Sequence, residues 1–513
     1  MSGYRTVAWV LLLFLSVAHA LPSGLTYRSA VVELAPRGSS QDGPEENLMK
    51  TMGAMESYAI RAAEKNIDIM VFPEAVLWTW GLEPPHNWTG TGRDFLRRYG
   101  QQVPFVGSVP CRRKSTNIFD LLRNASCMAL KYRTTMVINT IDIQPCNRTL
   151  DRGCPTDGRY QFNTNVVFDG LDGSILAVYH KFHLFHTFPT LDRPKTPEVT
   201  SFKTSFGVRF GMFICFDIQF DHPVQDLLND GVRHFVYSTW WYNSPPIFTA
   251  TMFQQAFSRT HNSVLLAANT GESYVSSGSG IYSSGAIKGV HFDPTGFRED
   301  AFLVADVPVD PGTPDERGDA LRTLNDELAS VSEQIPPAQK GIPCSYGSPS
   351  LVRKGSCVPI STRSAVNLRL RVDAIDGFSC SLQANISGAA IREESQSYVL
   401  WGSSGYYRYN ATGSKPMLVQ SCAIFHCDNM NNPGNDSIKC APTYNATQDF
   451  SAVKLSGTFS SKVYAMVAVD GAALVKKDEV QVTETETMST LFFENSGAAI
   501  GKLFSATLYS LGW

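Results

Sequence analysis

The chain has 513 residues, 43% of them hydrophobic and 18% charged, with a formal net charge of −3. That length asks for two or three domains, and that apolar share fills their cores. The near-balanced charge, without a basic stripe or a charged tail, argues against a nucleic-acid partner.

In chain order, residues 1–20 read as a secretory signal. Arg5 gives the positive start, Val7 to Val17 the apolar stretch, and "AHA" a cleavage site ending at Ala20. The stretch is too short for ~30 Å of hydrocarbon. A helix is expected over 45–66, with apolar residues at 48, 52, 55, 59 and 62. "IDIMVFPE" (67–74) follows as a buried strand ending at a carboxylate, and "TTMVINTIDI" (134–143) as another strand. "NVVFDGLDGSILAVYHK" (165–181) reads as a hairpin with a Gly/Asp turn. "VRFGMFICFD" (208–217) is a strand and "HPVQDLLNDG" (222–231) a short helix closed by glycine. "RHFVYSTWW" (233–241) and "SVLLAANT" (263–270) are strands around a helical stretch at 247–262. The alternation predicts an α/β layered domain over 22–310.

Residues 311–343 are polar and rich in Pro and Gly, as a linker is, and 344–513 hold Ser/Thr/Val-rich runs such as "SYVLWG" and "KVYAMVAVDG", as a β-rich domain does. The end, "GKLFSATLYSLGW", reads as a final strand, not a lipid-anchor tail. No later segment is apolar enough to span a membrane. A secreted protein without a transmembrane segment is therefore expected, its oligomeric state open.

Seven N-x-[ST] sequons, at Asn87, Asn124, Asn147, Asn385, Asn410, Asn435 and Asn445, agree with secretion. Eleven cysteines leave one over when ten pair. Cys146 and Cys154 bracket a short loop and are expected to pair; Cys111 and Cys127 bracket another segment. The six beyond residue 340 can pair among themselves. The remainder is Cys215, inside the apolar run "FGMFICFDIQF" (210–220). Such a thiol is more often a small buried hydrophobe than a nucleophile.

Three strand ends carry reactive groups. Glu74 in "MVFPEA" is placed to act as a general base. Lys181 in "VYHKFHLF" is placed to hold an oxyanion or acidify a thiol. Cys215 falls where a strand turns into a helix, so the Phe216 amide would donate to an oxyanion. Each has an ordinary structural explanation alone; the order Glu, Lys, Cys on successive strand ends is the sharper pattern. His180, His183 and His186 share a three-residue spacing, but on a strand this alternates faces, so a metal site has little support.

"VFPEA", "YHKFHLF" and "GMFICFDIQF" resemble the Glu, Lys and Cys blocks of the nitrilase (carbon–nitrogen hydrolase) superfamily. "CNRTLDRGCPTDGRYQFNTNVVFD", "STWWYN" and "GSGIY", with the signal and the Cys-rich C-terminal part, are similar to its vanin/biotinidase branch. The resemblance implies an αββα sandwich followed by a smaller β-rich, disulfide-stapled domain, and a small-molecule amide as substrate. It implies Cys215 as nucleophile, Glu74 as proton acceptor, Lys181 as proton donor, and no cofactor or metal. Pantetheine, cleaved to pantothenate and cysteamine, is the expected substrate. The alternatives are biocytin hydrolysis, acyl transfer to an amine, and a catalytically impaired binding protein of the same fold. Trp240, Trp241 and Tyr242 follow the strand after Cys215 and are candidates for the acyl pocket. One departure stands out: Phe188 occupies the place of a second, supporting glutamate, with Asp192 and Glu198 as nearby substitutes.

Overall fold

The computed structural model describes residues 25–512 apart from 115–119, 186–189, 245–246, 248, 273–275, 294–298, 313–340, 347–352, 361–366, 374–377, 387–395, 408–415, 429–437, 441–449, 470–472, 477–478, 486–487 and 495–502. The signal expected at 1–20, His186, Phe188, most of the 311–343 linker and the sequons at Asn410, Asn435 and Asn445 lie outside the described residues.

The first strand, Thr26–Glu33, shows why the N-terminal strands are apolar runs. Its Tyr27 and Val31 join one core while Ala30 and Val32 join another. Ile69 and Val71 of the next strand follow the first pair, and Met70 and Phe72 the second. A strand covered on both faces has no polar face to alternate with.

The first sheet runs in the order Ala301–Pro308, Thr26–Glu33, Ile69–Val71, Thr135–Pro145, Arg159–Phe168, Ile175–His180, with Gly100–Gln101 pairing beside Thr135–Pro145. Helices Pro44–Glu64 and Leu121–Tyr132 cover its outer face through Met55, Ala59, Ala62, Leu122 and Ala125. The second sheet runs Ala286–His291, Ser279–Ser283, Val264–Ala268, His234–Ser238, Arg209–Ile214, Ser201–Lys203. One cluster unites Val31, Val71 and Val137 of the first sheet with Met212, Phe213 and Leu266 of the second, and with Leu227, Phe253 and Phe257 from helices Asp221–Asn229 and Ala250–Thr260 behind it. This is the αββα sandwich. Each fully buried Val, Leu, Ile or Phe in it contributes ~1.5–3 kcal/mol.

The C-terminal part is a second sandwich. Its larger sheet centres on Gln396–Tyr407, Met417–Asp428, Leu503–Gly512 and Val463–Val469, and its smaller one on Ser379–Ile386, Phe450–Gly457 and Ser489–Glu494. The sequence "LFSATLYSLG" is an interior strand of the larger sheet, between Met417–Asp428 and Val463–Val469. Strand Ile342–Tyr346 already pairs with Arg353–Ile360, so this sheet begins two residues inside the expected linker; Ile342 packs on the cluster around Cys344, Cys357 and Trp401. Helix Ala250–Thr260 docks onto this unit: Phe253 meets Tyr464 at 5.0 Å, and Gln255 and Arg259 donate to the Val475 and Ala465 carbonyls.

Five disulfides join Cys111–Cys127, Cys146–Cys154, Cys344–Cys357, Cys380–Cys422 and Cys427–Cys440. Cys380–Cys422 ties the two C-terminal sheets together. Cys215 alone is unpaired.

Candidate active site

The strand ends converge. Lys181 directly follows strand Ile175–His180, Cys215 directly follows Arg209–Ile214, and Glu74 lies three residues past Ile69–Val71. The Ser238 hydroxyl donates to the Phe72 carbonyl, fastening the second sheet to the segment that carries Glu74. The three side chains are almost sealed from solvent: Glu74 is 4%, Lys181 3% and Cys215 6% exposed.

Glu74 is the hub. Its Oε1 accepts from Lys181 Nζ at 2.6 Å and from Asn163 Nδ2 at 2.7 Å. Its Oε2 accepts from the Trp240 amide at 2.9 Å. The carbonyl of the same Trp240 accepts from the Cys215 thiol at 3.6 Å. Burial alone would lower the Lys181 ammonium, but Glu74 beside it, followed by Cys215 and Asp217, holds it above its ordinary value. At rest it is therefore a cation. Burial pushes the Cys215 thiol up to about 12, with Glu74 acting in the same direction and Lys181 opposing. At rest the sulfur is a neutral thiol, not a preformed thiolate.

Cys215 has φ +45°, a left-handed conformation unusual for a non-glycine residue. A short 3₁₀ turn, Cys215–Gln219, begins at it, and the Tyr237 hydroxyl donates to its carbonyl at 2.9 Å. Asp217 within this turn accepts from the Ile214 amide, the Tyr179 hydroxyl and the His183 amide. It thereby binds the Lys181 segment to the Cys215 segment, and burial raises its carboxyl to about 7. The Phe216 amide opens the turn, while its ring packs edge-on to Phe185 and Phe220.

The pocket candidates do not stay together. Trp240 is half-buried and supplies the backbone contacts above. Trp241 is 3% exposed, and its ring stacks on Phe253 of the docked helix at 5.4 Å. Tyr242 is 39% exposed.

The histidines have other duties. His180 donates from its ring to Asp142 and Glu198, and His183 stacks on Phe220 and donates to the His222 carbonyl. Asp192 and Glu198, the two carboxylates that follow Phe188 in the sequence, are both engaged. Asp192 holds Arg93 and the Gln161 amide, and Glu198 holds His180.

Sequence reasoning passed over Asn163, Asn139 and Asp217. The signal for the first was present in "QFNTNVVF", where Gln161, Asn163 and Asn165 put amides at period two inside a strand with an apolar end.

The domain family described as carbon-nitrogen hydrolase matches residues 29–274, and the one described as vanin C-terminal domain matches 361–511. A Takifugu rubripes protein named biotinidase is 30% identical over 485 residues, 90% of this chain and 88% of that one. The human protein named pantetheinase is 33% identical over 251 residues, 48% of this chain and 47% of its own. A rat biotinidase is 35% identical over 248 residues, 48% and 46% of the two chains. These mammalian matches span about half of each protein, whereas the fish match runs nearly end to end. With both family domains matched in order and a relative aligned along almost its full length, the chain belongs to the vanin/biotinidase branch of the carbon–nitrogen hydrolase (nitrilase) superfamily, the hydrolases of amide carbon–nitrogen bonds.

Proposed function

We propose that the protein hydrolyses a small linear amide through a Cys215 thioester, with pantetheine as its substrate. The observation that carries this reading is the wiring of the single unpaired cysteine, through the Trp240 peptide, to a buried Glu74–Lys181 pair. Glu74 takes the thiol proton as Cys215 Sγ attacks the amide carbonyl. The oxyanion is held by the Lys181 ammonium and the Phe216 amide, each donor being worth ~3 kcal/mol. The carbon–nitrogen bond breaks, the amine leaves with a proton from Lys181, which Glu74 restores with the one it took from the thiol, and the acyl group stays on sulfur. Glu74 then deprotonates a water, which attacks the thioester; the acid leaves and the thiol regains its proton. The net change is amide plus water to acid plus amine, with no redox partner.

Support for pantetheine comes from the vanin-type C-terminal part. A second reading, biocytin, is favoured by one observation: the relative aligned along 90% of the chain is named biotinidase. The two amides separate only at the acyl pocket, where a hydrophobic wall discriminates by ~1–3 kcal/mol. Secretion belongs to the same proposal. Five disulfides suit an oxidising compartment, Asn87 and Asn147 are exposed, and no helix among the described residues is long and apolar enough to cross a membrane.

The test is hydrolysis of pantetheine and biocytin side by side by the purified protein and by Cys215→Ala. Higher kcat/KM on pantetheine and loss of both activities in the variant are expected. Turnover surviving in Cys215→Ala would refute the nucleophile, and a preference for biocytin would refute the substrate.

A further inference from the structure

We infer that Trp78, Asn139 and Asn163 form a polarised amide relay that positions Glu74, filling its Oε1 and leaving Oε2 to exchange the Cys215 proton. The inference rests on the reading of Glu74 as the base. It begins with two groups that can only donate. The Trp78 indole N–H and the Ala75 amide N–H each lie 2.9 Å from Asn139 Oδ1. Neither can accept there, so this end of the Asn139 amide is its carbonyl. The other end is then the NH₂, and it meets Asn163 Oδ1 at 2.8 Å and Asn165 Oδ1 at 3.0 Å. Asn163 in turn has its NH₂ facing away from Asn139, and that group donates to Glu74 Oε1 at 2.7 Å. Every member of the relay is buried. An indole two side chains away thus dictates that a donor, not an acceptor, faces the carboxylate.

Two consequences follow for Glu74. The Asn163 donor offsets part of the cost of burying this carboxylate. Together with Lys181 Nζ, Asn163 uses both lone-pair directions of Oε1. Oε2 accepts, among the described residues, only from the Trp240 amide, so it keeps a lone pair for a proton. Trp240 joins this oxygen to the sulfur: its amide donates to Oε2 and its carbonyl accepts from the Cys215 thiol. Asn163 also fixes the partner: its carbonyl accepts the Lys181 amide at 2.9 Å, so one residue registers both ends of the ion pair. Ala75, whose amide starts the relay, sits at φ +65°, and a conformation of this kind persists only where its surroundings enforce it.

The test is the pH dependence of Cys215 alkylation by iodoacetamide in the full-length protein, between about pH 5 and 9. This readout does not depend on which amide is the substrate. Asn139→Asp touches neither Glu74 nor the thiol, but it replaces the donating end of the amide with an acceptor. Asn163 must then turn its NH₂ toward residue 139 and its carbonyl toward Glu74. The alkylation rate is expected to fall roughly 10- to 100-fold at pH 7, the range set by losing a hydrogen bond to a charged group. Its acidic limb should move up by about one pH unit. Asn163→Leu, which removes the donor without adding charge, should move the limb the same way and covers the case in which Asn139→Asp does not fold. Ile138→Ala, a core truncation on the same strand, should lower Tm without moving the limb. An unmoved limb in both asparagine variants, or an equal movement in Ile138→Ala, would overturn the relay. Glu74→Gln separates the two claims: wild-type behaviour in that variant removes the base itself, whereas impairment there with unmoved limbs in the asparagine variants removes only the relay.

Discussion

Replacing Glu74 by glutamine tests whether the thiol needs a base, and the structure sets the size of the effect. Burial, with Glu74 adding to it, pushes the Cys215 thiol up to about 12. At pH 7 a free thiolate is then about one part in 10⁵, a cost of order 7 kcal/mol. A side chain that accepts the proton during attack avoids most of that cost, and such bases contribute about 10²–10⁴ in rate. Glu74→Gln is therefore expected to lower kcat/KM at pH 7 by about 10²–10⁴. The variant also loses a negative charge that opposes the thiolate, so a residual route through free thiolate remains. That route should climb about tenfold per pH unit between about pH 6 and 9, because it follows the thiolate population. The assay pairs amide turnover with iodoacetamide alkylation, which reports on Cys215 alone because the other ten cysteines are bridged. Wild-type kcat/KM in Glu74→Gln, or alkylation of the variant that ignores pH, would mean that the thiolate forms without Glu74 and would refute the reasoning.

Two further perturbations read other parts of the site. Burial alone would lower the His180 imidazole, but hydrogen bonds to Asp142 and Glu198 outweigh it and raise it to about 9. A group raised in the fold gives stability that is complete below its unfolded value near 6.5 and is lost as pH rises through 9. Wild-type Tm should fall across that window by an amount corresponding to roughly 3 kcal/mol at most, and Tm of His180→Gln should stay flat; parallel curves would exclude the imidazolium. Trp241→Ala should lower stability by ~3–5 kcal/mol as a core truncation while leaving the ratio of the two amides unchanged; a changed ratio without a Tm drop would return Trp241 to the pocket.

What the sequence exposed and what it concealed divide along a physical line. Glu74, Lys181 and Cys215 were legible because each ends an apolar run, and strands of one layered domain bring their ends together. Asn139 and Asn163 were not, because amides inside a strand read as local interruptions until both faces of that strand are known to be covered. Their partners lie 61 and 89 residues away along the chain, beyond any local pattern. The strand expected to run through Asp217 stops at Ile214, where the chain bends into a left-handed residue that propensity does not foresee. The Trp240–Trp241–Tyr242 run looked like one surface, but helix Ala250–Thr260, docked against the C-terminal sheet, stacks its Phe253 on Trp241, while Tyr242 stays 39% exposed.

The single odd cysteine and the buried acid–lysine pair are two sides of one constraint. In a molecule whose other cysteines are all bridged, an accessible thiolate would be open to disulfide exchange, which needs both ionisation and approach. Cys215 offers little of either: it is 6% exposed, and burial holds it as a thiol. The same sealing makes the sulfur a poor nucleophile by itself, so the proton acceptor has to lie within the sealed volume. A carboxylate buried there costs several kcal/mol unless paired and hydrogen-bonded. Lys181, Asn163 and the Trp240 amide supply that pairing and account for the hydrogen bonds of the Glu74 carboxylate among the described residues. Protection of the thiol thus demands the base, and the base demands the lysine and the amides, so the three catalytic candidates and their supports stand or fall as one buried network.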